Sequence, residues 1–219
     1  MHPLILERIL ENLLKDSEYI DKKDYCMSRN LSLNSFEKRV SIVKEYDIVL
    51  EQFRPGVMEK LGLGYETLKE INPSLIYCSL TGYGQTGPLK IKAGHDINYI
   101  SRSGILSHAG KKEYGPSLMN FQIADIASGT MNSVVAILAA VNYRRNTGKG
   151  QYIDISMFDG CIPFNSIDGA NFLVSGKAPK REAERLNGGC VYDFYETKDG
   201  EYMSVGSLEP QFWRQFCLA

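Results

Sequence analysis

The chain has 219 residues, of which 43% are hydrophobic and 11% aromatic, enough apolar material for one large domain or a domain and a half. Its formal net charge of −1 excludes a global field that attracts nucleic acid, so an anionic ligand has to be held by a local basic cluster. Five cysteines without a CxxC pair exclude a disulfide frame and a zinc site, and they indicate reduced thiols in a cytoplasmic compartment.

The first segment of the chain is charged as well as apolar. Its opening, MHPLILERILENLLKD, carries Glu7, Arg8 and Glu11, which predicts a short amphipathic helix and not a signal peptide. The longest apolar run further along the chain, SVVAILAAV, is far shorter than the ~20 residues of a membrane span. We therefore expect an intracellular protein that has no contact with a membrane.

Short strands and helices alternate between about residues 40 and 90. DIVLEQF and SLIYCSLTG are predicted strands, and RVSIVKEYD and GYETLKEINP are predicted helices. A helix from about Ile123 to Arg145 and a strand, QYIDISMFDG, follow. This alternation predicts an α/β fold, a Rossmann-like parallel sheet with flanking helices.

The last part of the chain has a different character. Two aromatic-rich runs around Lys198-Asp199-Gly200 predict a β-hairpin. We expect a large α/β domain over residues 1–160, a linker region over 161–190, and the beginning of a smaller α+β domain over 191–219. The charged opening helix stands where a strand and a glycine turn are expected, and the chain stops within a helical pattern. Both features predict a fragment that is truncated at its two ends.

The segment GYGQTG follows a predicted strand and has the G-x-G-x-x-G spacing of dinucleotide sites. In such a site it opens a helix, but here Pro88 and the basic stretch LKIKAG come next, which argues against NAD. Together with Arg54, which follows the strand DIVLEQF, the loop is a candidate for holding phosphates through backbone N–H groups and positive charge. A solvated turn with incidental lysines, and an arginine that only caps a turn, are the alternatives.

His95, one of three histidines in the chain, stands after a glycine and just before an apolar, helix-like run in AGHDINYIS. Asp96 suits the N-cap of the helix that begins there, which requires no function. His95 then lies just outside the positive end of the helix, where the field favours a neutral imidazole able to accept a proton. These residues alone leave open whether His95 is structural or catalytic.

Two further acidic residues stand at predicted helix starts. Asp125 lies in the first turn of the long helix, where a carboxylate suits the helix dipole and where Ser128, Gly129 and Thr130 leave room for a ligand. Glu209 precedes Pro210 and is a predicted cap residue, since proline favours the first helical position.

Taken together, six segments resemble the family III CoA-transferase superfamily and, within it, the α-methylacyl-CoA racemases. They run in family order from about residue 40 to 217: DIVLEQFRPGVMEKLGLG, NPSLIYCSLTGYGQTGP, AGHDINYISRSGIL, IADIASGTMNSVVAILAA, GKGQYIDISMFDG and NGGCVYDFYETKDGEYMSVGSLEPQFW.

The resemblance implies roles for particular residues. In the transferases, the aspartate that matches Asp125 is a nucleophile that forms acyl-anhydride and thioester intermediates. In the racemases, the residues matching His95 and Asp125 act as two bases, and those matching Asp96 and Glu209 support them. The implied CoA site comprises Arg54, Gly82, Tyr83, Gly84 and Tyr99.

The implied activity is racemisation of a 2-methylacyl-CoA thioester by 1,1-proton transfer through an enolate. It requires no metal and no redox cofactor, since CoA is part of the substrate. The resemblance also implies an interlocked homodimer. A CoA-transferase with Asp125 as nucleophile, and an inactive truncated remnant, are the alternative functions.

Overall fold

The computed structural model describes residues 25–27, 43–188 and 191–219 of the chain. The amphipathic helix predicted at the N-terminus lies outside the described residues. The chain divides into two compact units. Of the described residues, those up to Tyr99 together with Gln122–Cys161 form the first unit, and Ile100–Phe121 with Ile162–Ala219 form the second.

The first unit is built on a parallel sheet. Its strands lie side by side in the order β1 (Tyr25–Met27), β2 (Ile48–Glu51), β3 (Ile76–Thr81) and β4 (Gln151–Ser156). The predicted α/β fold with a parallel sheet is thereby confirmed. Because the strands are parallel, their carboxyl ends meet at one edge, where ligands bind in sheets of this kind.

Helices connect the strands of this sheet. The connection from β2 to β3 contains α1 (Val57–Lys60) and α2 (Tyr65–Ile71), and that from β3 to β4 contains α3 (Asp96–Arg102), a π-helix (Ile123–Thr130) and α4 (Met131–Thr147). The single helix predicted from Ile123 to Arg145 is therefore a π-helix that continues into an α-helix. It ends two residues later than predicted, with Gly148 in the left-handed region at φ 71°.

The core of the first unit explains why the segments that form β2 and β3 are largely apolar. All six residues of β3 are buried. Val49 and Tyr77, neighbours across β2 and β3, pack with Met58, Leu68 and Leu75 in one cluster. The helix α4 contacts β3 and β4, and its buried apolar residues recur at helical spacing: Val134, Ile137, Ala140 and Val141. A strand that is covered in this way has no solvent side on which polar residues could alternate.

The helical stretch Ile123–Thr147 is long and apolar enough to cross a membrane by length and composition alone. The sequence-based expectation considered only an uninterrupted apolar run and therefore missed it. Half of its most apolar window is buried inside the protein, and core helices of this kind meet the same criterion.

The second unit contains a helix, a hairpin and a terminal helix. α5 (Ser166–Ser175) follows a 3-10 helix (Asp159–Asn165), and the antiparallel strands β5 (Tyr192–Glu196) and β6 (Tyr202–Gly206) form the predicted hairpin before α6 (Pro210–Leu218). The second unit is discontinuous in sequence, unlike the domains predicted at 1–160 and 191–219. Those domain boundaries stay a prediction. Part of the predicted linker, 161–190, forms α5.

We predict that Ile137→Ala lowers the free energy of unfolding by about 2–5 kcal/mol, because the side chain of Ile137 is 0% exposed and its removal leaves a cavity under α4. Urea denaturation measures the change. Val135→Ala is the matched control, since Val135 on the same helix is 64% exposed, and it should change stability by no more than about 0.5 kcal/mol. Equal losses for the two variants would contradict the assignment of the buried face.

Candidate active site

His95 caps the helix α3. Its carbonyl oxygen accepts hydrogen bonds from the backbone N–H groups of Asn98 at 2.8 Å and Tyr99 at 3.3 Å. Its own N–H donates to the side-chain oxygen of Asn98 at 2.9 Å, so that the residue three positions into the helix closes the cap. The prediction that Asp96 is the N-cap is therefore wrong by one residue. The histidine side chain itself is exposed.

Asp96 caps a different helix from the one it begins. Its carboxylate oxygen Oδ1 accepts the backbone N–H of Asp125 at 3.0 Å. That N–H lies in the first turn of the π-helix, where backbone donors have no partner within the helix. One hydrogen bond thus holds the start of the helix next to His95 against the start of the helix that carries Asp125.

Asp125 is a buried carboxylic acid in an unusual turn. The residue is 7% exposed, and its Oδ2 accepts a hydrogen bond from Nε2 of Gln122 at 3.0 Å. Its backbone carbonyl accepts the hydroxyl of Thr130, five residues later, at 2.8 Å. Wide turns of this kind are rare and occur frequently at functional sites. The apolar periodicity of the sequence did not distinguish the π-helix from an α-helix.

Tyr99 fills the space beside the glycine loop. It is 6% exposed, and its hydroxyl donates to the carbonyl of Gly94 at 2.7 Å. A Cβ atom at Gly82 would overlap the Tyr99 hydroxyl, and one at Gly94 would lie 2.7 Å from the Tyr99 ring. Both positions are therefore restricted to glycine by the aromatic ring, which also meets Tyr83 edge-on with 5.1 Å between ring centroids.

The charges around Tyr99 come from three predicted site residues. Burial raises the pKa of the Tyr99 hydroxyl, and the negative charges of Asp125 and Asp96 raise it further, whereas the positive charge of Arg54 lowers it. Arg54, Asp96 and Asp125 therefore all lie within electrostatic reach of one hydroxyl group. Arg54 itself is exposed, three residues beyond the end of β2.

The glycine loop already has an anionic partner. The backbone N–H of Gln85 donates to both carboxylate oxygens of Asp154 on β4, at 3.1 and 3.0 Å. This carboxylate occupies one of the amides that a phosphate would need. No helix follows the loop before Asp96, as expected from Pro88. The proposed phosphate contacts of Gly82, Tyr83 and Gly84 stay a prediction, and Tyr83 and Gly84 are buried.

Sequence reasoning missed two acidic residues near this edge of the sheet. Glu51 is the buried last residue of β2, and Asp154 lies across the sheet from it, each opposite Ser79 of β3. A charged residue at the end of an otherwise apolar strand was the available indication for Glu51. Nothing in the sequence pattern paired Asp154 with the glycine loop.

Glu209 belongs to the second unit. Its carbonyl accepts the backbone N–H groups of Phe212 at 3.0 Å and Trp213 at 3.1 Å, and Pro210 is the first residue of α6. The prediction that Glu209 is a cap residue is confirmed. Its supporting role in catalysis stays a prediction.

Metal ligation and thiol chemistry find little support in the part of the chain that the structure describes. No group of three or more His, Cys, Asp or Glu side chains is arranged to hold a metal ion there. Burial raises the pKa of the Cys78 thiol to about 12 and that of the Cys161 thiol to about 11. Both thiols are neutral at physiological pH and are poor nucleophiles.

A parallel sheet whose carboxyl edge gathers an arginine, a glycine loop and two adjoining helix starts defines an α/β enzyme scaffold. The sequence model of CoA-transferase family III matches residues 37–219. The chain belongs to CoA-transferase family III.

Its relatives include both racemases and transferases. It is 43% identical over 173 residues to "Alpha-methylacyl-CoA racemase" of Homo sapiens, and the aligned region covers 78% of this chain and 45% of the relative. It is 35% identical over 184 residues to "Succinyl-CoA:glutarate CoA-transferase" of Homo sapiens, covering 82% and 42%. The solved structure of a CAIB/BAIF family protein from Brucella suis superposes with a TM-score of 0.68 at 38% identity, covering 77% and 45%. The chain thus spans less than half the length of these relatives.

We predict that Asp96→Ala destabilises the protein by about 1–2 kcal/mol, because the buried N–H of Asp125 loses its acceptor. Asp96→Asn is the matched control, since its amide oxygen can still accept this bond, and it should retain most of the stability. Urea denaturation compares the three proteins. An Asp96→Ala variant as stable as the wild type would refute the capping role.

We predict that Gly82→Ala costs about 1–3 kcal/mol of stability, because Tyr99 is held by Gly94 and Tyr83 and cannot give way to a methyl group. Gly169→Ala on α5 is the control, since its nearest neighbour would lie at an ordinary 3.6 Å and alanine favours helices. Thermal unfolding followed by circular dichroism compares the two. If Gly82→Ala melts no lower than Gly169→Ala, Tyr99 does not restrict this position.

Proposed function

We propose that the protein racemises 2-methylacyl-CoA thioesters by 1,1-proton transfer, with His95 and Asp125 as the two bases. The observation that carries this proposal is the hydrogen bond from the Asp125 N–H to Asp96. It brings the residue that follows His95 to the helix start that bears Asp125. Two different bases at neighbouring helix starts are what a two-sided proton transfer requires.

In this mechanism one base removes the α-proton from one face of the substrate. The electrons of the broken C–H bond move into the enolate of the thioester, and the conjugate acid of the other base returns a proton to the opposite face. An exposed imidazole and a buried carboxylate can both alternate between these states. Helix N-termini direct N–H dipoles at the site and stabilise the developing enolate charge.

The remaining site residues support binding and orientation in this proposal. Asp96 fixes the first turn at Asp125 through their hydrogen bond. Arg54 binds phosphate groups of CoA near the loop of Gly82, Tyr83 and Gly84, with Tyr99 as the wall of the site. The acyl-CoA thioester is the partner, and no additional cofactor is needed, because the thioester itself acidifies the α-proton. We further propose a cytoplasmic, interlocked homodimer.

A CoA-transferase is the second candidate, favoured by the 35% identity to a relative named as one. Asp125 would then attack the thioester carbonyl, expelling CoA as thiolate and forming an acyl anhydride. The thiolate would next attack the Asp125 carbonyl of this anhydride, releasing the first acid as its carboxylate and leaving a CoA thioester on Asp125. The carboxylate of a second acid would attack that thioester, forming a new anhydride and expelling the CoA thiolate. Attack of the thiolate on the acyl carbonyl of the second acid would then form the new acyl-CoA and restore the Asp125 carboxylate. An inactive remnant is the third candidate.

Isotope exchange distinguishes these functions. The protein is incubated with one enantiomer of a 2-methylacyl-CoA in D₂O, without an acceptor acid. A racemase incorporates deuterium at the α-carbon, and His95→Ala should slow exchange by about 10²–10⁴, with unequal effects on the two enantiomers, since each base serves one face. His108→Gln, which changes the other described histidine, is the control and should leave exchange intact.

The transferase makes the opposite prediction. The α-proton stays in place, CoA moves between carboxylic acids, and hydroxylamine traps an adduct at Asp125 that survives His95→Ala. That combination would exclude the racemase. If the folded protein shows neither α-proton exchange nor CoA transfer, the result favours the inactive remnant.

A further inference from the structure

Glu51 is a buried carboxylate at the edge of the sheet where the proposed site lies. It is the last residue of β2 and is 4% exposed. Among the described residues no cation forms an ion pair with it. Burying a carboxylate costs free energy, which the hydrogen bonds that it accepts have to offset.

Two hydrogen-bond donors converge on this carboxylate. The backbone N–H of Phe53 donates to Oε2 at 2.7 Å, and the side chain of Ser79 forms a second hydrogen bond. Ser79 in turn accepts the hydroxyl of Tyr152 at 3.2 Å. The carboxylate therefore ties the chain beyond β2 to β3 and, through Ser79, to β4.

These bonds fix the backbone on both sides of Arg54. Phe53, which precedes it, is held by Glu51, and the carbonyl of Arg54 accepts the N–H of Val57 at the start of α1, at 3.1 Å. Gly56 completes the turn with φ 86°. The exposed side chain of Arg54 thus extends from a restrained backbone, which lowers the entropy lost when it binds an anion.

We propose that Glu51 is a positioning residue for CoA binding, which sets the turn from which Arg54 contacts a phosphate of CoA. This inference rests on the proposed function, in which Arg54 is a CoA ligand. Glu51 acts through the backbone of Phe53 and does not touch the substrate.

The protonation of Glu51 supplies a readout that a packing role lacks. Burial raises the pKa of Glu51, and the hydrogen bonds from Ser79 and Phe53 oppose that rise. The titratable groups facing it also include Glu59 on α1, Tyr77 and Cys78 on β3, and Tyr152 and Asp154 on β4. A raised carboxyl pKa means that folding binds a proton, so stability is lost as pH rises through the pKa of the folded state. Above the pKa of Glu51 in the folded state, the ionised carboxylate therefore costs stability that a glutamine would not.

The test measures the affinity of the protein for free CoA by calorimetry. Glu51→Gln keeps an acceptor oxygen for Phe53 but removes the charge, and it should weaken CoA binding about 3- to 10-fold at pH 7.5. Its melting temperature should equal or exceed that of the wild type. The ratio of the wild-type affinity to the Glu51→Gln affinity should approach one as pH falls through the pKa of Glu51, because the wild-type side chain then loses its charge. We use this ratio because the titration of CoA itself affects both proteins equally. Glu59→Gln, which removes an exposed charge nearby, should change affinity less than 2-fold.

Arg54→Ala separates failure of this inference from failure of the proposed function. We expect Arg54→Ala to weaken CoA binding and Glu51→Gln to have no further effect in that background. If Arg54→Ala leaves CoA affinity unchanged, Arg54 is not a CoA ligand and the premise is wrong. If Arg54→Ala weakens binding but Glu51→Gln binds CoA like the wild type, weakens it equally in both backgrounds, or fails to fold, Glu51 is not a positioning residue.

Discussion

The bond from the Asp125 N–H to the carboxylate of Asp96 is the constraint on which the site depends. Each helix start has backbone donors that its own helix cannot satisfy, and burial makes an unpaired donor expensive. The structure meets this need at the π-helix with a side chain from a helix almost thirty residues earlier. A local requirement of helix termination thereby becomes a long-range link between the helix starts that carry His95 and Asp125.

Tyr99 has a comparable role in packing. Its ring excludes side chains at two glycines that lie twelve residues apart, and its hydroxyl returns to one of them. The glycine loop thus keeps its shape for aromatic packing and for the Asp154 carboxylate. The close approach of Tyr99 therefore accounts for the first glycine of GYGQTG, whether or not a ligand binds at the loop.

The strands β2, β3 and β4, the hairpin and the long helix could be predicted from the sequence, because apolar runs and turn residues report burial locally. The three-residue strand β1 was not predicted, and its pairing with β2 shows that the sheet does have a strand before residue 30. DIVLEQF and SLIYCSLTG each contain an observed strand, and Asp125 and Glu209 do lie at helix starts. The partner of Asp96 could not be predicted, since a carboxylate suits any nearby helix start and only the fold selects one. The π-turn and the buried carboxylate of Glu51 likewise depend on neighbours that are remote in sequence.

The division of the chain into discontinuous units has a consequence for its synthesis. β3 pairs with β4, whose residues follow about 75 positions later in the chain. Between these two strands the chain passes through Ile100–Phe121, which belongs to the second unit. At about 5–20 residues per second, the apolar edge of β3 emerges from the ribosome several seconds before its partner strand. Such an edge can pair with other chains during that interval. Chaperone occupancy during translation should therefore be highest before residue 151 is made, and it should fall once β4 closes the sheet.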